Sequence, residues 1–210
     1  AQRDGAICRA VHDGAVWITH LREKRPGEQT LKLPAALVLG ERLRTVPESP
    51  APLVLPEGRR TYAEIRYQES QWVGYLSFDF YNGAMSSEQC QRLRAAYCYA
   101  RSRDTRLIVL MGGRDFWCNG IHLNVIEAAP SPADESWRNI NAMDDLVQTI
   151  IDTDSHLTIA ALSGNAGAGG AFLALAADFV YAHCGVVLNP HYKNMGNLYG
   201  SEYWTYLLPR

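Results

Sequence analysis

The most informative pattern of hydrophobic and polar positions lies between Leu157 and Asp178, which read LTIAALSGNAGAGGAFLALAAD. Residues 157–162 form a short apolar run, typical of a strand buried on both faces. Residues 163–170 contain four glycines in eight positions, and no ordinary strand or helix interior fits there. Residues 171–177 return to strong helix formers. The pattern predicts a strand, a glycine loop and a helix N-terminus, whose free N–H groups can hold an anion or a developing oxyanion.

Three interpretations of this glycine loop compete. It can be a tight strand-to-helix turn in which the glycines serve packing alone. A dinucleotide-binding fingerprint is excluded, because Phe172 stands where the third small residue belongs and Asp178 follows too early for the acid that binds the ribose. The third interpretation is an oxyanion hole for a thioester carbonyl, which requires a second N–H group from elsewhere in the chain.

A second glycine-broken loop offers a candidate for that group. Residues 107–111, LIVLM, predict another buried strand, and residues 112–123 continue as GGRDFWCNGIHL. Alone, this loop fits a plain strand-to-helix connection equally well. Together, the two loops can each direct one N–H group at the same oxygen.

The remaining pattern divides the chain into three segments. Residues 1–46 predict a small β unit, with a hairpin turn at His12-Asp13-Gly14 and a further strand over residues 37–39. Residues 47–60 contain four of the ten prolines, which favours an extended linker. Residues 61–210 predict a domain in which strands and helices alternate.

Besides the helix after the glycine loop, helices are predicted at three places in this last segment. Ser86-Ser-Glu-Gln89 has the sequence of a capping box and begins a helix with one apolar face. Residues 133–154 predict a second amphipathic helix, and residues 203–208 predict the start of a third. Residues 62–80 and 179–182 read as strands.

Composition narrows the class of protein. The 210 residues are 47% hydrophobic and 20% charged with a net charge of -2, which fits a globular protein and gives no basic surface for nucleic acid. No apolar run approaches the ~20 residues of a membrane span, and residues 1–10 do not resemble a signal peptide. The five cysteines lack metal-ligand spacing, so we expect reduced thiols, no metal site and a cytoplasmic protein. A start without Met and an end inside ordered sequence suggest a fragment of a longer protein.

The order of strand, glycine loop, helix, Asp178 and strand resembles the crotonase (enoyl-CoA hydratase/isomerase) superfamily over about residues 62–210. Residues 118–123, CNGIHL, resemble a second loop of that superfamily. The resemblance implies an α/β fold, a crotonase-like ββα spiral domain over about residues 60–210 that is incomplete at its C-terminus. It also implies that the ligand is an acyl-coenzyme A thioester.

The resemblance further implies which residues form the site. The paired oxyanion-hole N–H groups would belong to Ile121 and Gly169. His122 stands where the superfamily usually has aspartate. The residues expected to bind substrate are Cys118, Gly120, His122, Gly170, Phe172 and Ser201.

The positions of the catalytic acids depart from the hydratase pattern. By resemblance they fall at Phe172 and Tyr192, neither of which is a carboxylate. Adding water across an enoyl double bond needs a general acid and a general base. Phenylalanine can be neither, and tyrosine, with a pKa near ~10, is a poor base at neutral pH. We therefore predict a crotonase fold that is not a hydratase.

Further stretches resemble one branch of the superfamily, which serves hydrogenase maturation. They are residues 112–117, 119–124 and 189–210 in the crotonase-like part. Residues 13–18 and 31–35 resemble the OB-like C-terminal part of the formyltransferase-like half that precedes it in that branch. The resemblance implies that this first half passes a formyl group from formyl-tetrahydrofolate to coenzyme A. The crotonase half then breaks formyl-CoA into carbon monoxide and coenzyme A for the nickel–iron hydrogenase, so hydrogenase maturation proteins are expected partners. The folate-binding half proper is expected to be missing from this chain.

The working hypothesis is therefore decarbonylation of formyl-CoA, with Tyr192 and Glu202 positioning the substrate and moving the proton. Phe172 would exclude water, which would otherwise hydrolyse the thioester. Tyr192 can instead be a packing aromatic, and Glu202 an acid favoured at a helix N-terminus. Two other functions stay open: another acyl-CoA reaction (hydration, isomerisation or thioester hydrolysis), and coenzyme A binding without catalysis.

Overall fold

The computed structural model of the protein describes residues 1–190, 192 and 200–209. The chain forms two compact units. The first consists of Ala1–Pro52 and Pro56–Glu64, and the second of Leu53–Leu55 and Ile65–Arg210. The predicted nature of residues 1–46 as a formyltransferase-like segment and of residues 47–60 as a linker stays a prediction.

The first unit is a small β structure with one short helix. Its elements are β1 Gln2–Arg3, β2 Ala6–Val11, β3 Gly14–Ile18, β4 His20–Arg22, β5 Lys32–Pro34, α1 Ala35–Leu39 and a 3-10 turn at Gly40–Leu43. Antiparallel β1, β2 and β3 form one sheet, and antiparallel β4 and β5 form a second. The pairing of Val11 with Gly14 confirms the predicted hairpin.

The strand predicted over residues 37–39 is wrong, because these residues belong to α1. Three apolar residues carry no period that distinguishes a strand from a helix. Ala35 is fully buried at the start of the helix, and Gly40 ends it with a positive φ of 47°.

The buried side chain of Arg3 connects distant parts of the first unit. Its guanidinium donates to the carbonyl oxygen of Tyr62 at 2.7 Å and to the hydroxyl of Thr61 at 2.8 Å. The same group lies 4.7 Å from the ring centre of Trp17, which stacks on Tyr62 at 5.4 Å. A buried cation with these partners ties the last residues of the unit to its first strand.

The second unit contains eight strands and five helices among the described residues. The strands are β6 Ile65–Ser70, β7 Val73–Phe78, β8 Leu107–Met111, β9 Phe116–Cys118, β10 Leu157–Leu162, β11 Asn165–Gly167, β12 Phe179–Ala182 and β13 Leu188–Asn189. The helices are α2 Ser87–Arg101, α3 Leu123–Glu127, α4 Pro132–Ile151, α5 Gly169–Leu175 and α6 Trp204–Leu207, and a 3-10 turn lies at Tyr81–Gly83.

The main sheet of this unit has the order β12-β10-β8-β7-β6. Its strands are parallel except for the β6–β7 hairpin. The strands predicted over residues 107–111, 157–162 and 179–182 are confirmed at those bounds. Ile108, Leu110 and Ala160 are at most 1% exposed, as expected where helices cover the sheet.

A second, smaller parallel sheet has the order β13-β11-β9. It corrects the expectation that no strand fits within residues 163–170, because β11 lies there. The backbone before β11 lies very close to the backbone at the start of β9. A Cβ on Gly164 would lie 2.6 Å from the nitrogen of Phe116, so glycine permits this approach.

Helices α2 and α4 pack against each other. The predicted capping box is confirmed, with Ser86 and Gln89 each bonding the backbone of the other. Ser131 caps α4, and Pro132 occupies its first turn. Among the described residues, no helix combines the length and the apolar character that a membrane crossing requires.

A hydrogen-bonded clamp joins β10 to the start of β12 and gives a first test of the fold. We predict that Thr158→Val lowers the free energy of unfolding by about 1–2 kcal/mol. The Thr158 hydroxyl donates to Asp178 Oδ2 at 2.8 Å and accepts from the Asp178 N–H at 2.9 Å, and the residue is 2% exposed. Thermal unfolding measures the effect, with the exposed Thr205→Val as control. Equal melting temperatures of the two variants would contradict the clamp.

Candidate active site

The loop that contains Ile121 is fixed by a neighbouring segment and by one side chain of α4. Gly120 has a φ of 79°, which favours glycine, and its carbonyl oxygen accepts from the N–H of Met85 at 2.9 Å. Ile121 forms a parallel bridge with Met85. Asn139, which is fully buried, accepts from the His122 N–H at 3.2 Å and donates to the Met85 carbonyl oxygen at 3.0 Å. One side-chain amide therefore joins this loop to the neighbouring segment at Met85.

The loop that contains Gly169 turns sharply before α5. Ala168 has a φ of 47°, uncommon for a residue with a Cβ. Its N–H donates to the Asn189 carbonyl oxygen at 3.0 Å, and its own carbonyl oxygen accepts from Ala171 at 3.1 Å. No side chain caps α5. The helix therefore begins at Gly169 with its first N–H groups uncapped.

The two loops meet backbone to backbone. A Cβ on Gly120 would lie 3.2 Å from the nitrogen of Gly169, and a Cβ on Gly170 would lie 2.0 Å from the carbonyl oxygen of Cys118. No described residue accepts a hydrogen bond from the N–H of Ile121 or of Gly169. Both donors therefore retain their capacity to bind a ligand.

A cavity of about 170 Å³ lies where these loops meet. Its wall is mostly apolar, as is usual for a small-molecule site. Residues that line it include Ile121, Gly169, Tyr192, Gly200, Ser201 and Glu202. A larger open groove of about 440 Å³ borders α2 and α4 and contains none of the predicted site residues. The smaller cavity therefore brings together the predicted catalytic pair, both predicted oxyanion-hole residues and Ser201.

Tyr192 and Glu202 form a direct pair in this cavity. The Tyr192 hydroxyl donates to Glu202 Oε2 at 2.6 Å, and the Ser201 N–H donates to the same oxygen at 3.2 Å. The ring of Tyr192 stacks on Phe172 with centroids 5.9 Å apart and an interplanar angle of 7°. A Cβ on Gly200 would lie 2.4 Å from the Tyr192 ring, so glycine makes room for it.

Burial shifts the proton affinities of the pair. Glu202 is 3% exposed, and its pKa is raised first by burial and then by the charge of Asp144. Burial and the neighbouring Glu202 charge raise the pKa of Tyr192, so the phenol stays protonated at neutral pH. The arrangement is a protonated donor held against a carboxylate that accepts a proton more readily than usual.

The other predicted substrate-binding residues are not among those that line the cavity: Cys118, Gly120, His122, Gly170 and Phe172. Cys118 is fully buried, its Sγ accepts from the Gly120 N–H at 3.3 Å, and burial raises its pKa to about 12. His122 caps α3, with Nδ1 accepting from the Val125 N–H at 3.3 Å. Burial lowers the pKa of His122, so a neutral ring fills this capping role. The contribution of Cys118 and His122 to ligand binding stays a prediction.

Two polar residues of α4 belong to the site but were not predicted from the sequence. Asn139 holds the loop of Ile121, and the carboxylate of Asp144 accepts from the Glu202 N–H at 2.7 Å. Asn139 lies four residues before the buried Met143, so its place on the apolar face of the predicted helix was a usable signal. Within the described part of the chain, no three His, Cys, Asp or Glu side chains group as metal ligands.

The sequence profile of the enoyl-CoA hydratase/isomerase family matches residues 77–201. The chain belongs to this family. A solved enoyl-CoA hydratase from Bacillus halodurans matches with a TM-score of 0.62 at 19% identity, over 70% of this chain and 61% of that chain. At that identity the likeness concerns the fold alone. The predicted crotonase-like α/β fold is confirmed.

Two relatives are much more similar to this chain. The hydrogenase maturation factor HoxX of Bradyrhizobium diazoefficiens is 55% identical over 100% of this chain and 35% of its own length. The crystal structure of HypX from Aquifex aeolicus in complex with tetrahydrofolic acid matches at 56% identity and a TM-score of 0.96, over 100% of this chain and 37% of that chain. The predicted resemblance to the hydrogenase-maturation branch is confirmed, and the chain spans about a third of the length of these relatives.

The close approach of the two loops predicts unequal effects of alanine at two adjacent glycines. A Cβ on Gly170 would meet the Cys118 backbone, which cannot rotate away, so Gly170→Ala should cost about 2–3 kcal/mol of stability. A Cβ on Gly169 would lie 2.3 Å from Glu202 Oε1, a movable side-chain atom, so Gly169→Ala should cost only ~1 kcal/mol. Thermal unfolding measures both. Gly185→Ala is the control, because its nearest neighbour would lie 3.8 Å away. Identical melting temperatures for all three variants would refute the close approach.

The raised pKa of Glu202 predicts a pH-dependent gain from Glu202→Gln. Because burial raises this pKa above its usual 4.5, the associated stability is fully present below pH 4.5 and is lost as the pH rises through the raised value. At pH 8 the ionised carboxylate therefore costs stability, and the glutamine variant should melt a few degrees higher. The gain should shrink towards pH 4.5. The exposed Glu57→Gln is the control, and a gain independent of pH would contradict the prediction.

Proposed function

We propose that the second unit decarbonylates formyl-coenzyme A to carbon monoxide and coenzyme A. One observation carries the proposal: the hydroxyl of Tyr192 bonds the buried Glu202 inside a cavity that Ile121 and Gly169 also line. Membership of the enoyl-CoA hydratase/isomerase family supports a coenzyme A thioester as ligand. The two hydratase acid positions, occupied by Phe172 and Tyr192, argue against hydration.

The proposed reaction needs only a proton transfer. The formyl C–H bond breaks and leaves its electron pair on carbon, while the C–S bond breaks and its pair leaves with sulfur. The formyl carbon loses one proton and the sulfur gains one, so the products are carbon monoxide and the coenzyme A thiol. No oxidant, reductant or second substrate enters. The N–H groups of Ile121 and Gly169 would bind the formyl oxygen, where two preorganised donors are worth most.

In this proposal Glu202 carries the proton from the formyl carbon to the departing sulfur, and Tyr192 holds the Glu202 carboxylate in place. In its ionised form Glu202 accepts from the Tyr192 hydroxyl through Oε2, and in this proposal that form takes the formyl proton. Its raised pKa brings the acid closer to neutral pH, where a general base works best. Tyr192 orients the carboxylate and remains protonated.

The apolar wall supports decarbonylation over hydrolysis. Phe172 is 1% exposed and covers one face of the Tyr192 ring. A water molecule admitted beside the formyl carbon would yield formate instead of carbon monoxide. Excluding water also strengthens the hydrogen bonds to the formyl oxygen.

The larger relatives suggest the setting of this reaction. A HypX structure contains tetrahydrofolic acid, which supports formyl-tetrahydrofolate as the formyl donor in a longer protein. The HoxX relative is a hydrogenase maturation factor, so we propose that the carbon monoxide serves the nickel–iron hydrogenase with its maturation proteins as partners. All five cysteines are free thiols, which supports the proposed cytoplasmic location.

The test supplies formyl-CoA to the full-length protein and traps carbon monoxide on a reduced haem protein. We predict that Glu202→Gln lowers the rate of release about 10²–10⁴-fold, because the general base is lost. Tyr192→Phe should lower it about 10-fold or more through loss of the orienting hydrogen bond. The exposed Tyr181→Phe is the control.

The other outcomes are equally informative. Undiminished release by both variants would remove Tyr192 and Glu202 from the mechanism. Turnover of crotonyl-CoA or of simple thioesters without carbon monoxide would establish another acyl-CoA reaction. Coenzyme A binding without any product would establish a non-catalytic domain.

A further inference from the structure

Helix α4 holds the turn that carries Glu202 at two points. Asp144 Oδ1 accepts from the Glu202 N–H at 2.7 Å. Four residues further along the helix, Gln148 Oε1 accepts from the Tyr203 hydroxyl at 3.2 Å. Residues four apart share a face of a helix. One face of α4 therefore forms hydrogen bonds with two consecutive residues of the turn.

That turn has an unfavourable backbone conformation. Glu202 and Tyr203 have φ values of 48° and 55°, so two successive residues other than glycine are left-handed. Each is unfavourable for a residue with a Cβ and persists only where the surroundings hold it. The Asp144 bond acts on the backbone of the first of them, the residue whose carboxylate enters the cavity. Without that acceptor, we expect the backbone of the turn to relax and the Glu202 carboxylate to leave the cavity.

Asp144 also places a second carboxylate beside Glu202. It is half-buried, and burial is the main reason why its pKa is raised. The other ionisable groups that face Glu202 are Tyr192 after β13, Cys118 on β9 and Cys90 on α2. Burial raises the pKa of all three, so they are neutral at pH 7. Asp144 is therefore the charged neighbour of Glu202 among these described groups.

We propose that Asp144 is a positioning residue whose carboxylate holds the Glu202 backbone, so that the Glu202 side chain reaches Tyr192 and the cavity. The charge of the same carboxylate also makes Glu202 readier to accept a proton. Its kinetic consequence rests on the proposed decarbonylation. Its two components, the acceptor oxygen and the charge, are separable by substitution. Asp144→Asn keeps an acceptor oxygen and loses the charge, whereas Asp144→Ala loses both.

The kinetic test measures carbon monoxide release from formyl-CoA by the full-length protein across pH. We predict that Asp144→Asn keeps kcat within about threefold but moves the acidic limb of kcat/KM to lower pH, because a like charge next to Glu202 is gone. Asp144→Ala should lower kcat up to about 10²-fold through misplacement of the base, with KM changed little. The control is Asp145→Asn, whose side chain is 57% exposed and faces Arg94 at 3.4 Å, and it should change neither quantity.

A spectroscopic test separates this inference from the proposed function. Infrared difference spectra follow protonation of the Glu202 carboxyl with pH, and Glu202→Gln identifies its band. The band should titrate at lower pH in Asp144→Asn than in the wild type and in Asp145→Asn, whether or not carbon monoxide is released. Coincident titrations of the wild type and Asp144→Asn would overturn the role of the charge, and wild-type kcat in Asp144→Ala would overturn the role in positioning. Absence of carbon monoxide release from the wild type would instead refute the decarbonylation alone.

Discussion

The geometry of the candidate site depends on one buried side-chain amide in the middle of α4. Asn139 is fully buried and bonds the backbone of His122 in the Ile121 loop and of Met85 in the segment paired with that loop. Moving the loop would leave buried polar groups unpaired, at a cost of about 1–3 kcal/mol each. Because the same helix bonds the backbone of Glu202, α4 fixes an amide and a carboxylate relative to each other. A rigid helix is a better support for such geometry than a loop.

The carboxylate itself sits where folding alone would not place it. Glu202 is 3% exposed, next to a second acid and on a left-handed residue, and all three features are unfavourable. The bonds from Tyr192 and Ser201 offset part of this cost. Residues kept at the expense of stability commonly mark sites of chemistry, because activity requires groups that a stable core would exclude. Glycine at positions 169 and 200 fits the same interpretation, since any side chain there would displace the pair.

The main sheet was predictable from sequence because its central strands are largely apolar runs. Residues 107–111 and 157–162 could be bounded to the residue, since a charged or polar residue precedes each run and glycine or serine follows it. The smaller sheet was not predictable. Strands β9 and β11 are three residues long and pair only with segments distant in sequence, so no local period reveals them. The strand predicted over residues 37–39 was wrong for the same reason. Three apolar residues show no local period, and in the folded chain they belong to a helix.

The site divides along a similar line. Glycine spacing and family resemblance suggested Ile121, Gly169, Tyr192 and Glu202, and the fold places all four around one cavity. Asp144 could not be distinguished in sequence from Asp145, because both are acids on the same helix. In the folded chain, one accepts a bond from the backbone of Glu202 while the other lies largely in solvent. Local patterns report the period of an element, but only the packing of α4 against a distant turn decides which acid joins the site.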